Sequence, residues 1–332
     1  MRRILFTIFL LSFFFAGCRE YNIKFTGEAQ GTYYHISYYD PLNRNLKSEI
    51  DSILTSYDKS VSIYENNSFI SRFNRNEITL IDDSLFKRNL MLSKEISEST
   101  GGAFDPTIGP IANAWGFGVE TQKNIKPEHL DSLKDLTGFD RLTFENNHLK
   151  KSNPGVEINF NAIAQGYSVD LISEYLESKG ITNHLIDIGG EVITSGDKPG
   201  NEPWKVGIEK PASDKSDKRE TAVKIILPDK AVATSGNYRK YYKKDGKKYS
   251  HTIDPKTGNP VTHNLLSVSV IADQCAIADA YATAFMVMGK DKSLQFVKDH
   301  PEKKLEVLLI YSGEDGQYRI EQSKGFQQYI VE

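Results

Sequence analysis

Residues 276–289 read AIADAYATAFMVMG, a stretch with one charged side chain, Asp279, and no proline. Its Ala- and Met-rich composition predicts a helix, ended by Gly289. The segment is too apolar to expose, so the chain must fold with this helix inside its core. Asp279 goes in with it. Thr283 follows four residues on, which puts both oxygens on one helix face. A carboxylate so placed needs a positive partner or a metal ion. Hard oxygen donors favour Mg²⁺ or Ca²⁺ over zinc. A buried Asp that caps or pairs locally is the alternative.

A buried helix needs a core around it. The chain has 332 residues, 39% of them hydrophobic, with 17 Tyr and 17 Phe. That is enough for one large domain or two intimate ones. Residues 21–39 alternate polar and apolar and read as an opening strand. Helical spacing predicts helices over 46–59 and 85–99, the second stopped by Gly101-Gly102, and another over 162–179 stopped by Gly180. Residues 155–159 read as a strand end, and 184–193 as a short apolar strand running into the Gly189-Gly190 turn. Further strands are expected at 204–209, 223–227, 231–234, 247–253, 265–271, 305–311 and 317–320, with a charged surface loop at 212–220. Strands and helices mix without a regular βαβ beat, so the expected class is α+β rather than a doubly wound parallel sheet. The net charge of −3 argues against a broad nucleic-acid surface, which needs a cationic excess.

The first residues read as an address. Arg2 and Arg3 precede an almost wholly apolar run from Ile4 to Phe15. The run falls short of the roughly 20 residues a spanning helix needs and suits a signal-peptide core. It ends in Phe15-Ala16-Gly17-Cys18, which resembles a bacterial lipobox. The expectation is a leader over 1–17, a lipidated Cys18, a tether over 18–26 and a folded body over 27–332 held at a membrane outside the cytoplasm. Cleavage removes Arg2 and Arg3 and no acid, taking the net charge from −3 to −5. Cys275 then has no cysteine partner and is read as a packing residue.

Four further segments carry chemistry. In SHTIDPKTGNP (250–260) a turn explains Asp254, Pro255 and Gly258 but not His251, which is well placed to act as a base. Asp254, three residues on, is expected to shape the turn. TGGAFDPTIGPIANAWGFG (100–118) is a loop whose glycines allow close approach to a ligand; Phe104, Trp115 and Phe117 are candidates to flank a planar ring. In NFNAIAQGYSVD (159–170), Asn161 is the expected helix cap, at a helix start able to meet a phosphate. SIYENNSFISRFN (62–74) reads only as a polar loop with one aromatic residue, Tyr64.

Taken in order with GTYYHI (31–36), IDIGGEV (186–192), WKVGIEKP (204–211) and ATSGNY (233–238), these segments resemble the ApbE family, the FAD:protein FMN transferases. The resemblance runs from about Gly27 to Gly289. It implies mixed, largely antiparallel sheets with packed helices, in an architecture related to the T-fold. It also implies binding of FAD with Mg²⁺ and transfer of the FMN moiety to a Thr or Ser hydroxyl of a target protein, with release of AMP. Implied acceptors are subunits of sodium-pumping NADH:quinone oxidoreductase and of Rnf-type electron-transfer complexes. Residue by residue, it makes Asp279, Thr283 and the backbone carbonyl of Ala162 metal ligands and His251 the general base. Gln30, Tyr64, Ala103, Phe104, Asp105, Asn159, Gln165 and Thr252 fall at flavin-nucleotide contacts. Three residues depart from the family pattern. Gln30 replaces a usual Met, Asn159 a common Asp, and Gln165 a common Lys or Glu; the two amides still hydrogen-bond but bring no charge. The same residues would serve an FAD pyrophosphatase, in which water replaces the acceptor hydroxyl. A non-catalytic flavin-binding lipoprotein is the other alternative, though storage needs no base.

Overall fold

The computed structural model describes residues 20–119, 127–211, 220–237, 241–244 and 247–331. A hairpin of β1 (Tyr21–Ala29) and β2 (Thr32–Asp40) leads into α1 (Lys47–Val61), α2 (Phe69–Asn74) and α3 (Ser84–Ser99). Next come α4 (Gly109–Ala114), α5 (Pro127–Lys134), the hairpin β3 (Leu142–Glu145) and β4 (His148–Lys151), and α6 (Ala164–Ser178). The strands β5 (His184–Ile188), β6 (Glu191–Ser195), β7 (Lys205–Glu209), β8 (Thr221–Ile226), β9 (Ala231–Gly236), β10 (Tyr241–Lys244), β11 (Lys247–Ser250) and β12 (Leu265–Ala272) follow. Helices α7 (Cys275–Met288) and α8 (Lys290–Asp299) precede β13 (Glu306–Ser312), β14 (Tyr318–Gln322) and β15 (Ile330–Val331).

Eight strands make one sheet in the order β1-β2-β5-β6-β9-β12-β13-β14, and every neighbouring pair is antiparallel. The expected α+β class with antiparallel sheets holds. Side chains alternate between the two faces of a strand, and here both faces are covered. Val268, Val270 and Ala272 of β12, with Val307 and Leu309 of β13, pack into the core that holds α7. Ile271, Leu308 and Ile310 point the other way, onto Ile208, Ile225 and Phe326. Those partners belong to or flank a second sheet, β15-β8-β7. The result is three layers: helices, large sheet, small sheet. Burial on both faces is why β13 reads as a continuous apolar run over Val307 to Ile310 rather than an alternating one.

Several expectations need correction. Residues 21–39 form two strands, because Gln30 (φ 53°) and Gly31 (φ 71°) make a tight hairpin turn. Residues 21–26, read as tether, pair with β2 from Tyr21 onward and are part of the large sheet. Residues 184–193 likewise split into β5 and β6 around Gly189 and Gly190, both at positive φ. No strand forms at 155–159. Helix α6 starts at Ala164 rather than 162. The polar loop at 62–74 contains α2, capped by Ser68, whose oxygen accepts the Ser71 N–H at 3.1 Å. The leader, Cys18 and residues 212–219 of the expected surface loop lie outside the described residues. No helix among the described residues is long and apolar enough to cross a membrane.

Candidate active site

The central helix α7 packs against β9, β12 and α6. Gly166 permits the close approach of α6: a Cβ there would lie 2.4 Å from the Cys275 carbonyl oxygen and 2.8 Å from Asp279 Cβ. The first turn of a helix has backbone N–H groups with no partner of their own, and neither α6 nor α7 caps itself with an N-cap side chain. Each is capped by the other. Asp279 Oδ2, on α7, accepts the Gly166 N–H of α6 at 3.0 Å. Asp170, on α6, accepts the N–H groups of Cys275 (2.7 Å) and Ala276 (2.9 Å) at the start of α7. Burial pushes both carboxyls up to about 7. It also pushes the Cys275 thiol well above its usual range, which fits a packing role.

This capping arrangement also brings together oxygen donors that could hold a cation. Asp279 is 7% exposed, and among the described residues no basic side chain offsets it. Gly166 spends its N–H on Asp279, and among the described residues no group donates to the Ala162 carbonyl. Thr283, one helical turn beyond Asp279, has its hydroxyl 3.2 Å from Ser235 Oγ on β9. Asp279, Thr283 and Ala162 border the same cavity, of about 620 Å³. A carboxylate, a hydroxyl and a carbonyl are a hard donor set. It suits Mg²⁺, which takes few protein ligands and completes its shell with phosphates and water. The three donors are all oxygens, with no His or Cys among them, which does not suit zinc; no cluster of three or more His, Cys, Asp or Glu able to hold a metal occurs among the described residues.

His251 reaches the cavity from the residue after β11. Its loop is closed by backbone bonds from Asp254 to Asn259 (2.9 Å), Gly258 to Asp254 (2.8 Å) and Val261 to Thr252 (3.0 Å). Asp254 Oδ1 accepts the Lys256 N–H at 2.9 Å, the turn-shaping role expected of it. Thr252 Oγ1 donates to Asn237 Oδ1 at 2.8 Å. The ring of Phe117 stands edge-on to His251, centroids 6.3 Å apart. Phe104 and Phe117 line the cavity; Trp115 does not. The Trp115 indole N–H instead bonds the Gly258 carbonyl at 2.7 Å, joining the 100–118 loop to the His251 loop.

Of the remaining predicted contacts, Tyr64, Ala103, Phe104, Asp105, Asn159, Gln165 and Thr252 line the cavity. Asp105 is buried and its pKa raised by that burial, although its Oδ1 accepts the Thr107 N–H and hydroxyl at 2.8 and 2.6 Å. Gln165 Nε2 donates to the Ile188 carbonyl at 2.9 Å. Gln30 is outside the cavity lining: its turn points the amide at α6, where Ser168 Oγ donates to Oε1 at 3.3 Å. Asn161 is not the cap of α6; that position is Ile163. Its amide donates to Tyr64 Oη at 3.1 Å, on the cavity wall. Asp187, Glu191, Lys205 and Ser235 also line the cavity and were not singled out from sequence. Their segments carried the family signal, but nothing local marks which side chain turns inward.

Comparison with known proteins gives the chain its family. The model of the ApbE family matches residues 30–309. The chain belongs to the ApbE family. An ApbE relative from Vibrio cholerae, named FAD:protein FMN transferase, is 36% identical over 313 residues, covering 91% of each chain. One of the same name from Haemophilus influenzae is 34% identical over 317 residues, covering 91% of this chain and 90% of that one. The structure of the flavin transferase ApbE from Vibrio cholerae superposes with a TM-score of 0.81 at 33% identity, covering 94% of this chain and all of that one. The apo form of the Pseudomonas stutzeri flavinyl transferase ApbE gives the same TM-score at 30% identity, covering 93% of this chain and 96% of that one.

Proposed function

We propose that this chain is an FAD:protein FMN transferase, moving the FMN moiety of FAD to a Thr or Ser hydroxyl of a target protein and releasing AMP. The observation that carries the reading is the convergence of Asp279, Thr283, Ala162 and His251 on one cavity, from three distant segments. The names of the ApbE relatives support the same reaction. In the step, the acceptor oxygen bonds to the FMN phosphorus and the anhydride P–O bond to AMP breaks. The hydroxyl proton passes to the His251 imidazole, and AMP leaves as a phosphate monoester. Mg²⁺ held by Asp279, Thr283 and Ala162 would neutralise pyrophosphate charge and stabilise the leaving group. Positioning and proton transfer are what the chain's own residues contribute.

The acceptors proposed are flavin-carrying subunits of NADH:quinone oxidoreductase or Rnf-type complexes. Lipidation at Cys18 would hold the enzyme at a membrane on the extracytoplasmic side. The test is intact-mass spectrometry of such an acceptor domain after incubation with the protein, FAD and Mg²⁺. A gain of one FMN residue, lost with EDTA, is expected. Free FMN and AMP with an unmodified acceptor would mark a pyrophosphatase instead.

A further inference from the structure

Strand β7 meets the cavity in an unusual way. All five of its residues, Lys205 to Glu209, line it. A strand presenting a face would offer every second residue; contact by five in succession means β7 presents its edge. In the small sheet, β7 is the outer strand, and among the described residues only β8 pairs with it. The hydrogen-bond phase says which groups point outward. Leu227 N–H donates to the Trp204 carbonyl at 3.3 Å and Lys210 N–H to the Glu220 carbonyl at 2.7 Å. In an antiparallel pair, directly bonded residues alternate with outward-facing ones, so Val206 and Ile208 face β8 while Lys205 and Gly207 direct their N–H and C=O away from it. A Cβ added at Gly207 would lie 3.3 Å from the Thr221 side chain on β8 and stand out of the sheet plane, so the edge itself is shaped by backbone groups.

We propose that this edge is the docking strand for the acceptor polypeptide, whose segment around the modified Thr or Ser adds to β7 as an extended antiparallel or parallel strand. The inference rests on the transferase reading, which requires a second, polypeptide substrate to enter the cavity shared by His251 and Asp279. Strand addition binds a chain through its main-chain groups and leaves specificity to alternate side chains. It also sets depth, because a strand in register delivers every second side chain to the same side. β7 belongs to the small-sheet layer, whereas most nucleotide-contact positions come from the helical layer and its loops.

Gly207→Pro removes one outward N–H; an edge position whose N–H faces away from the sheet is one where proline is tolerated in a strand. Gly207→Ala keeps that N–H. The probe is a fluorescently labelled Thr-bearing acceptor domain of the kind named above, titrated against FAD-loaded protein, with FAD affinity measured separately. Gly207→Pro is expected to weaken acceptor binding by roughly tenfold, the worth of one or two backbone hydrogen bonds. FAD affinity should change by less than about twofold, and Gly207→Ala should stay near the parent. As a check independent of protein folding, N-methylating alternate backbone nitrogens of an acceptor peptide should weaken binding to the unaltered protein similarly. Unchanged acceptor binding in both experiments, equal loss of FAD and acceptor affinity, or no acceptor binding by the parent protein each overturns the proposal. Acceptor binding that depends on Gly207 N–H without FMN transfer would support the docking strand and sink the transferase reading.

Discussion

Asp279 and Gly166 lie 113 positions apart, yet the carboxylate of one accepts the N–H of the other at 3.0 Å. The bond is half of a mutual capping between α6 and α7, completed by Asp170 at the start of α7. It orients the only acid of the central helix toward the cavity and keeps the Gly166 N–H from the Ala162 carbonyl. Helix packing and the proposed cation site are thus one construction.

Gly166→Ala tests the construction at its tightest point. The new methyl would fall 2.4 Å from the Cys275 carbonyl, so the helices must part. Overpacking of this kind costs about 1–3 kcal/mol. The melting temperature should fall, and Mg²⁺ affinity with it. A variant that melts like the parent would show that the contact is not tight.

Asp170→Ala leaves two N–H groups of α7, those of Cys275 and Ala276, without their acceptor. A buried unsatisfied donor costs about 1–3 kcal/mol. Urea unfolding should show a lower midpoint at an unchanged slope. Asp170→Asn, which keeps one acceptor oxygen, should recover part of the loss. Equal loss in both variants would mean that the negative charge matters more than the bonds.

Cation binding should depend on pH with a defined sign. Burial raises Asp279 and Asp170 to about 7, from about 4 in an unfolded chain. Between those values the folded chain holds protons that the unfolded chain has lost, so without a cation stability falls as pH rises. A cation at Asp279 must displace its proton. Mg²⁺ affinity should therefore climb through this window, with proton release visible as a buffer-dependent heat in calorimetry. Asp279→Asn should abolish the dependence; an affinity flat with pH would exclude Asp279 as a ligand.

His251→Ala should leave FAD binding in place and slow transfer by about 10²–10⁴-fold, the usual worth of a general base. Steady-state kinetics with a saturating acceptor would check it. Equal loss of FAD affinity and rate would assign His251 to binding instead.

A second pH effect has the opposite slope. Burial lowers His184 to about 4, and Ser173 Oγ lies 2.8 Å from its Nε2. An unfolded His titrates at about 6.5. As pH falls from that value to about 4, the unfolded chain takes up a proton that the folded chain refuses, so stability is lost. His184→Asn should flatten this acid limb in thermal melts across the window. A limb of unchanged steepness would mean that other groups cause it.

Much of the site was legible because its residues sit in short local patterns. His251 stood out beside a turn that needed no His, and Asp279 as the lone acid of a helix that had to be buried. Where reading failed, the deciding contact came from elsewhere in the chain. Asn161 looked like a cap, but its amide is taken by Tyr64. Trp115 looked like a ring-stacking residue, but the Gly258 carbonyl holds its indole.

The amino-acid sequence alone determined the buried helix with its one carboxylate, the strands β9, β12, β13 and β14 of the large sheet and the family, because apolar periodicity and ordered motifs are written locally. Only the tertiary structure decided that α6 and α7 cap each other, that the Ala162 carbonyl is spared and that β7 turns its edge to the cavity. Each of these depends on where a distant segment returns, and residue spacing does not encode which backbone groups a returning chain will satisfy.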